Sequence, residues 1–230
     1  MALNRTALQE ALLDAWAVVM PTECSGCGAP DRALCPACAA ALRAAPKPAT
    51  RDELTVWSAL DYSEVVGRVL VAYKDGGRTD AARPLAAALR AAIAAALAAA
   101  EPGQGGILLA TVPSSRRAWR ARGYHPVDLL LRHAGFAPAR LLRPVRAAPA
   151  ADQVGLGRGQ RLDNRRGTLT AVRPLDTARI LLVDDIVTTG ATLLEARRAL
   201  LRAGADVVGA ATVAETPRHR PDISRSPETD

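Results

Sequence analysis

Lysine is almost missing from this chain of 230 residues: it stands only at Lys47 and Lys74. Arginine supplies the other cations, and 30 basic against 23 acidic residues leave a formal charge of +7. Abundant Ala and Arg with scarce Lys is the mark of a GC-rich coding bias, so the Arg excess is not by itself a function. An isoelectric point near 9.9 still favours polyanionic ligands over cations. Long apolar runs are lacking too. The most apolar stretch, 91–100, is bracketed by Arg90 and Glu101 and is half the ~20 residues that a spanning helix needs, so no membrane insertion is expected. The N-terminal stretch carries Glu10 and Asp14 within its apolar part and no small-residue cleavage pattern after it. It therefore reads as no secretion signal, and a cytoplasmic protein with reduced thiols is expected. There is no internal repeat, and 49% apolar with 23% charged residues excludes a disordered, collagen-like or coiled-coil chain.

What is present begins with pattern. Leu8, Leu12, Trp16 and Val19 recur at helical spacing, which predicts an N-terminal amphipathic helix. All four cysteines follow in one window, Cys24-x2-Cys27, seven residues, then Cys35-x2-Cys38. Two residues between thiols let both sulfurs of a pair enter one site, and two pairs supply the four ligands of a tetrahedral zinc. Gly26 and Gly28 suit the tight turns around the first pair. Thiolates crowded together need a cation, so a structural Zn2+ is expected, with an iron–sulfur cluster as the alternative. Four protein ligands leave no open coordination position for catalysis. Residues 1–43 are thus read as a helix plus a four-Cys module, and 44–52, rich in Pro and polar groups, as a linker.

From residue 53 to 214 the pattern is α/β. A strand is expected over Leu54–Leu60, then a helix reaching Lys74 that Asp75-Gly76-Gly77 breaks. Leu85, Leu89, Ile93 and Leu97 mark an amphipathic helix. Short continuous apolar runs at Ile107–Val112, Ile180–Val183 and Val207–Val213 predict strands buried on both faces, as in a parallel sheet, with helices over 121–134 and 192–203. Ligands of such sheets sit at the carboxyl ends of strands. The Pro-punctuated tail, 215–230, is expected to be disordered.

The richest stretch is ILLVDDIVTTGATL, residues 180–193. A strand ends in Asp184 and Asp185, and a short loop with Thr188, Thr189, Gly190 and Thr192 leads into a helix. The loop is a phosphate cradle: Gly190 permits positive φ, threonine hydroxyls donate, and the helix start attracts anions. Two carboxylates beside such a cradle would repel a bare phosphate but accept hydrogen bonds from sugar hydroxyls. The pair reads as a ribose 5-phosphate grip. A receiver domain would need a phosphoacceptor Asp further on and a later Lys, and no Lys follows Asp185. The P-loop pattern G-x4-G-K-[ST] is absent, and an acid-capped turn would need less than this stretch provides. The strand–loop–helix resembles the 5-phosphoribosyl-1-pyrophosphate (PRPP) signature of type I phosphoribosyltransferases. After Ile107–Val112 come Pro113, Ser114, Ser115, Arg116 and Arg117. Small residues there let amides approach oxyanions and Arg adds charge-assisted donors, which suits a pyrophosphate loop.

The four Cys, Tyr62, Lys74-Asp-Gly-Gly, Val112-Pro113, Arg122-Gly123-Tyr124, Gln153-x2-Leu156-x4-Arg161-x2-Asn164-x2-Gly167 and the final DDIVTTGAT occur in one order. That order is similar to the ComF family. The resemblance implies a type I phosphoribosyltransferase-like parallel-sheet domain behind a zinc module. It also implies Mg2+ with PRPP, leaving-group contacts from Lys74 and Arg161, and a link to DNA uptake in natural transformation through recombination or uptake proteins. His125-Pro126 replaces the Asn-Gln common at that place, which bears on acceptor or partner recognition. No acceptor pocket or base is legible. A catalytically silent PRPP sensor, or an adaptor for single-stranded DNA, is the alternative. Arg116, Arg117, Arg120 and Arg122 surround Trp119, and a basic groove with stacking aromatics holds single strands. A second basic cluster stands at Arg158, Arg161, Arg165 and Arg166.

Overall fold

A computed structural model describes residues 23–30, 32–145 and 167–216. The N-terminal helix expectation, the second basic cluster, the 153–164 part of the Gln–Asn motif and the tail from 217 lie outside the described residues; the expected start of the tail at 215 is corrected, because Glu215 is the last residue of a strand.

Five strands form one sheet in the order β1 (Lys47–Arg51), β2 (Leu54–Asp61), β7 (Asp206–Glu215), β6 (Arg179–Val187) and β3 (Ile107–Thr111). Only β1 is antiparallel; β2, β7, β6 and β3 run parallel. The linker expected at 44–52 is corrected: β1 pairs residue by residue with β2, from Lys47↔Ser58 to Arg51↔Leu54. Pro48 is tolerated because β1 is an edge strand, where one N–H has no ladder partner to lose. A separate ribbon, β4 (Leu142–Pro144) with β5 (Leu169–Ala171), is antiparallel and has no counterpart in the sequence expectations.

The helices are α1 (Pro36–Ala41), α2 (Glu64–Lys74), α3 (Ala82–Ala99), α4 (Arg116–Arg122), α5 (Pro126–His133) and α6 (Ala191–Arg202). Ser63 caps α2 by accepting from the Val66 amide at 3.3 Å, the expected role of serine at this position. The helix expected over 121–134 is two helices: α4 stops at Gly123, and Pro126 opens α5, where its missing N–H costs nothing. α2, α3 and α5 cover one sheet face, with Leu70, Leu85, Leu89, Ile93, Leu130 and Leu131 wholly buried. α6 covers the other through Leu193, Ala196 and Leu200. Each such leucine contributes about 1.5–3 kcal/mol relative to exposure. The stretch Thr79–Ala99 is long and apolar enough to cross a membrane by length and composition, but half of it is buried inside the protein, where α3 packs on β2, β7 and α5.

The parallel ladder between β3 and β6 ends at Thr111↔Val183. β6 does not end there. β7 runs beside it to Val187↔Glu215 and keeps Asp184 and Asp185 inside the strand rather than after it. The acids therefore overhang the end of β3, and the loops after β3 and β6 lie next to each other at the carboxyl edge.

Candidate functional site

That edge opens a cleft of about 400 Å³ lined by Lys74, Val112, Pro113, Ser114, Ser115, Ala118, Arg122, Pro126, Val127, Asp184, Asp185, Ile186, Thr188 and Thr192. The sugar-phosphate candidates Asp184, Asp185, Thr188 and Thr192 thus share one space with the pyrophosphate candidates Ser114 and Ser115 and with Lys74. Successive residues of a strand face opposite ways; beyond the end of β3 both acids still reach the opening. Asp184 Oδ1 accepts from the Asp185 amide at 2.9 Å. Lys74 Nζ lies 2.7 Å from Asp185 Oδ2, with both side chains largely buried. The lysine expected at the leaving group is therefore paired with a ribose candidate.

Thr189 and Gly190 are off the cleft lining. The Thr189 hydroxyl accepts from the Ala191 amide at 3.3 Å. Gly190 is the N-cap of α6 with φ +85° and no side-chain cap, a conformation that costs other residues roughly 1–2 kcal/mol. Ser115 caps α4 by accepting from the Ala118 amide at 3.1 Å. Arg116 opens α4, and Arg161 lies outside the described residues. The proposed DNA-binding group divides. Arg117, Trp119 and Arg120 are exposed, with Trp119 ring-stacked on His125, whereas Arg122 lines the cleft and bonds Asp75 at 2.7 Å.

Tyr73, Asp128 and Arg140, which hold this site, carry no signal in the sequence reading, and the bonds of Asp75, Arg122 and Tyr124 are not legible from their motifs. Tyr73 donates its hydroxyl to the Pro126 carbonyl at 2.7 Å, and the Tyr124 hydroxyl donates to the Tyr73 carbonyl. With Arg122–Asp75, these bonds tie the Arg122-Gly123-Tyr124 turn to the end of α2 and so aim Lys74 at Asp185. The two sequence motifs are halves of one brace. Burial pushes the Tyr73 phenol up, with Tyr124 and Asp185 adding to it, so it stays a protonated donor. Under β3, buried Asp128 accepts from the Thr111 hydroxyl at 2.9 Å and from Arg140 Nε at 2.8 Å.

The four cysteines converge at the other end of α2. Their Sγ atoms all lie within 4.8 Å of one another, and Cys27 and Cys35 are 3.7 Å apart. Tetrahedral zinc with Zn–S of ~2.3 Å places sulfurs about 3.8 Å apart, so the cluster fits zinc. Cys38 initiates from a turn in which its amide donates to Cys35 Sγ, and the Cys35 amide donates to Cys24 Sγ at 3.3 Å. Burial pushes the Cys24 thiol up, but donors from Cys35, Cys27 and Gly26 outweigh it and lower its pKa to about 6. Burial and the neighbouring thiols push Cys38 up. Among the described residues no other group of three or more His, Cys, Asp or Glu is so gathered.

The sequence pattern of the phosphoribosyl transferase domain matches residues 150–228. An adenine phosphoribosyltransferase of Polynucleobacter asymbioticus is 38% identical over 84 residues, which are 36% of this chain and 46% of that one. The chain therefore spans under half the length of this curated relative. Among solved structures, adenine phosphoribosyltransferase of Saccharomyces cerevisiae is 14% identical, with TM-score 0.39, covering 78% of this chain and 88% of that one. The enzyme from Rhodothermus marinus is 19% identical, with TM-score 0.37, covering 78% and 86%. The sequence matches support a phosphoribosyltransferase-like protein.

Proposed function

We propose that the cleft binds PRPP with Mg2+. The ribose hydroxyls would go to Asp184 and Asp185, the 5-phosphate to the 188–192 loop ahead of α6, and the pyrophosphate to the Val112–Ser115 loop. The observation that carries this reading is the convergence of all three residue groups on one cleft, whose volume is in the range of small-ligand sites. Hard carboxylate oxygens suit Mg2+, which when bound supplies neutralisation of the leaving pyrophosphate. This chain's own part is to hold the sugar against rotation and to fix the departing charge, which lowers the barrier by positioning and electrostatics. Lys74, 2.7 Å from Asp185, would orient that carboxylate toward the sugar. The finer reading is a ComF-like cytoplasmic protein serving DNA uptake, with a structural zinc in the four-Cys module, single-stranded DNA as a partner and an acceptor that the test below seeks.

The test is calorimetry of PRPP with and without Mg2+, run beside Asp184→Asn with Asp185→Asn. Mg2+-dependent binding that the double substitution abolishes is the expected result; unchanged affinity in the double variant would reject the ribose role. Pyrophosphate release with nucleobases or oligonucleotides as acceptors then separates a transferase from a silent sensor.

A further inference from the structure

Gly190, the turning point of the proposed phosphate loop, rests on a residue that no sequence motif singles out. A Cβ built on Gly190 would lie 3.0 Å from Arg51 Cγ and 3.2 Å from its Cβ and Cδ. Arg51 closes β1, and only 3% of it is exposed. Its guanidinium is held from two sides: Nη2 donates to the Glu215 carboxylate at the end of β7, and Nη1 donates to the Thr50 carbonyl at 3.4 Å. Glu215 itself is mostly buried. The third nitrogen, Nε, is buried with no partner, one bond beyond the Cδ that occupies the space beside Gly190. A buried arginine donor left unsatisfied is costly, and such a group calls for a ligand or water at that place.

We infer that Arg51 is a positioning residue for the 5-phosphate subsite, an inference that rests on the reading of 188–192 as the phosphate loop. The Glu215 pair clamps the guanidinium, the clamped stem seats Gly190, and the seated glycine fixes the amides that begin α6. The Nε–H is the donor left for the occupied loop to satisfy. This also explains why glycine is required twice at position 190, once for its φ and once because the arginine stem fills the space a side chain would take.

The test uses the full chain and two probes, ribose 5-phosphate and inorganic pyrophosphate, each titrated by calorimetry. Arg51→Met alone leaves Glu215 buried without its cation and is prone to misfold, so it is paired with Arg51→Met/Glu215→Gln, which removes both charges. Circular dichroism and thermal melting establish that the double variant is folded. The expected result is ribose 5-phosphate binding weakened by at least about tenfold, the value of one charge-assisted bond, with pyrophosphate binding unchanged. Arg51→Lys, which keeps the charge and most of the stem, recovers part of that loss. Unchanged binding of both probes in the folded double variant overturns the inference, as does an equal loss of both, which marks a general structural effect. If the native protein binds neither probe, the reading of the cleft falls first and this inference with it.

Discussion

Gly26→Ala puts the four-Cys module under a controlled strain. A Cβ at Gly26 would lie 2.6 Å from Cys38 Sγ and 2.9 Å from Cys38 Cβ. Relief to an ordinary contact needs a shift on the order of 0.8 Å, against a tolerance near ±0.2 Å for metal–ligand distances. Gly26 is held in place by its carbonyl, which accepts from Arg68 at 3.3 Å, and the new Cβ would also lie 3.1 Å from Val65 Cγ1. The variant would therefore loosen Cys38 from a zinc held by the four thiolates. If four ligands share about 10–16 kcal/mol of apparent zinc binding, losing one costs about 2.5–4 kcal/mol, or roughly two to three orders of magnitude in affinity. Gly28→Ala is the internal control. Gly28 has φ +77° but open space around its Cβ position, so it pays backbone strain of about 1–2 kcal/mol without touching a sulfur. Competition against a chromophoric zinc chelator measures both variants. Native-like zinc affinity in Gly26→Ala would refute the placement of Cys38 in the metal shell.

Two further outcomes concern the frame around the cleft. Buried Glu195 accepts from Arg198 Nε at 2.6 Å and from the Leu169 amide at 2.9 Å; burial raises its pKa, but these donors outweigh it and the net shift is downward. A depressed folded pKa gives stability that is present above the unfolded value near 4.3 and is lost as pH falls through the folded value. Glu195→Gln should thus be less stable at pH 7 by about 1.5–3 kcal/mol and lose less on acidification; parallel melting-temperature profiles between pH 7 and 3 would contradict this. Asp128→Ala strands the buried Thr111 hydroxyl and should lower the denaturant midpoint by an amount equivalent to about 1–3 kcal/mol, with Thr111→Val added restoring part of it; an unchanged midpoint would show that the bond contributes nothing.

Legibility in the sequence followed the range of the forces involved. Continuous apolar runs located β3, β6 and β7, and four-residue periodicity located α3, because burial imposes a local pattern on each: Leu85, Leu89 and Ile93 are fully buried. The Cys window and the 184–192 stretch were legible because their chemistry sits within a few residues. β1 was misread as a linker because its Pro and polar residues belong to an edge strand, whose pairing partner and not its own pattern makes it a strand. Strand β6 was cut short at Val183 because the carboxylates look like a terminus, whereas the length of β7 keeps them in register. Arg51 and Glu215 are 164 positions apart, and no local signal joins a hairpin arginine to a glutamate at the end of β7. Likewise Lys74 could be marked as unusual, but only the fold of Tyr73, Tyr124 and Asp75 around it decides that it meets Asp185.

Among the described residues that line the cleft, Lys74 and Arg122 are cationic and Asp184 and Asp185 anionic, so these four balance although the whole chain carries +7. Arg122 is further committed to Asp75 and Lys74 to Asp185. These four side chains therefore offer a ligand with several phosphate charges no net attraction. Such a ligand must be met by amides and hydroxyls at the two loops, by the start of α6, and by a divalent cation brought with the ligand. On the proposed reading, a carboxylate pair between two donor-bearing loops would favour a sugar that carries its phosphates at opposite ends, since each end then faces a different kind of partner. The Mg2+ dependence expected of PRPP binding follows from this balance, because without the cation the carboxylates and the pyrophosphate would face each other uncompensated.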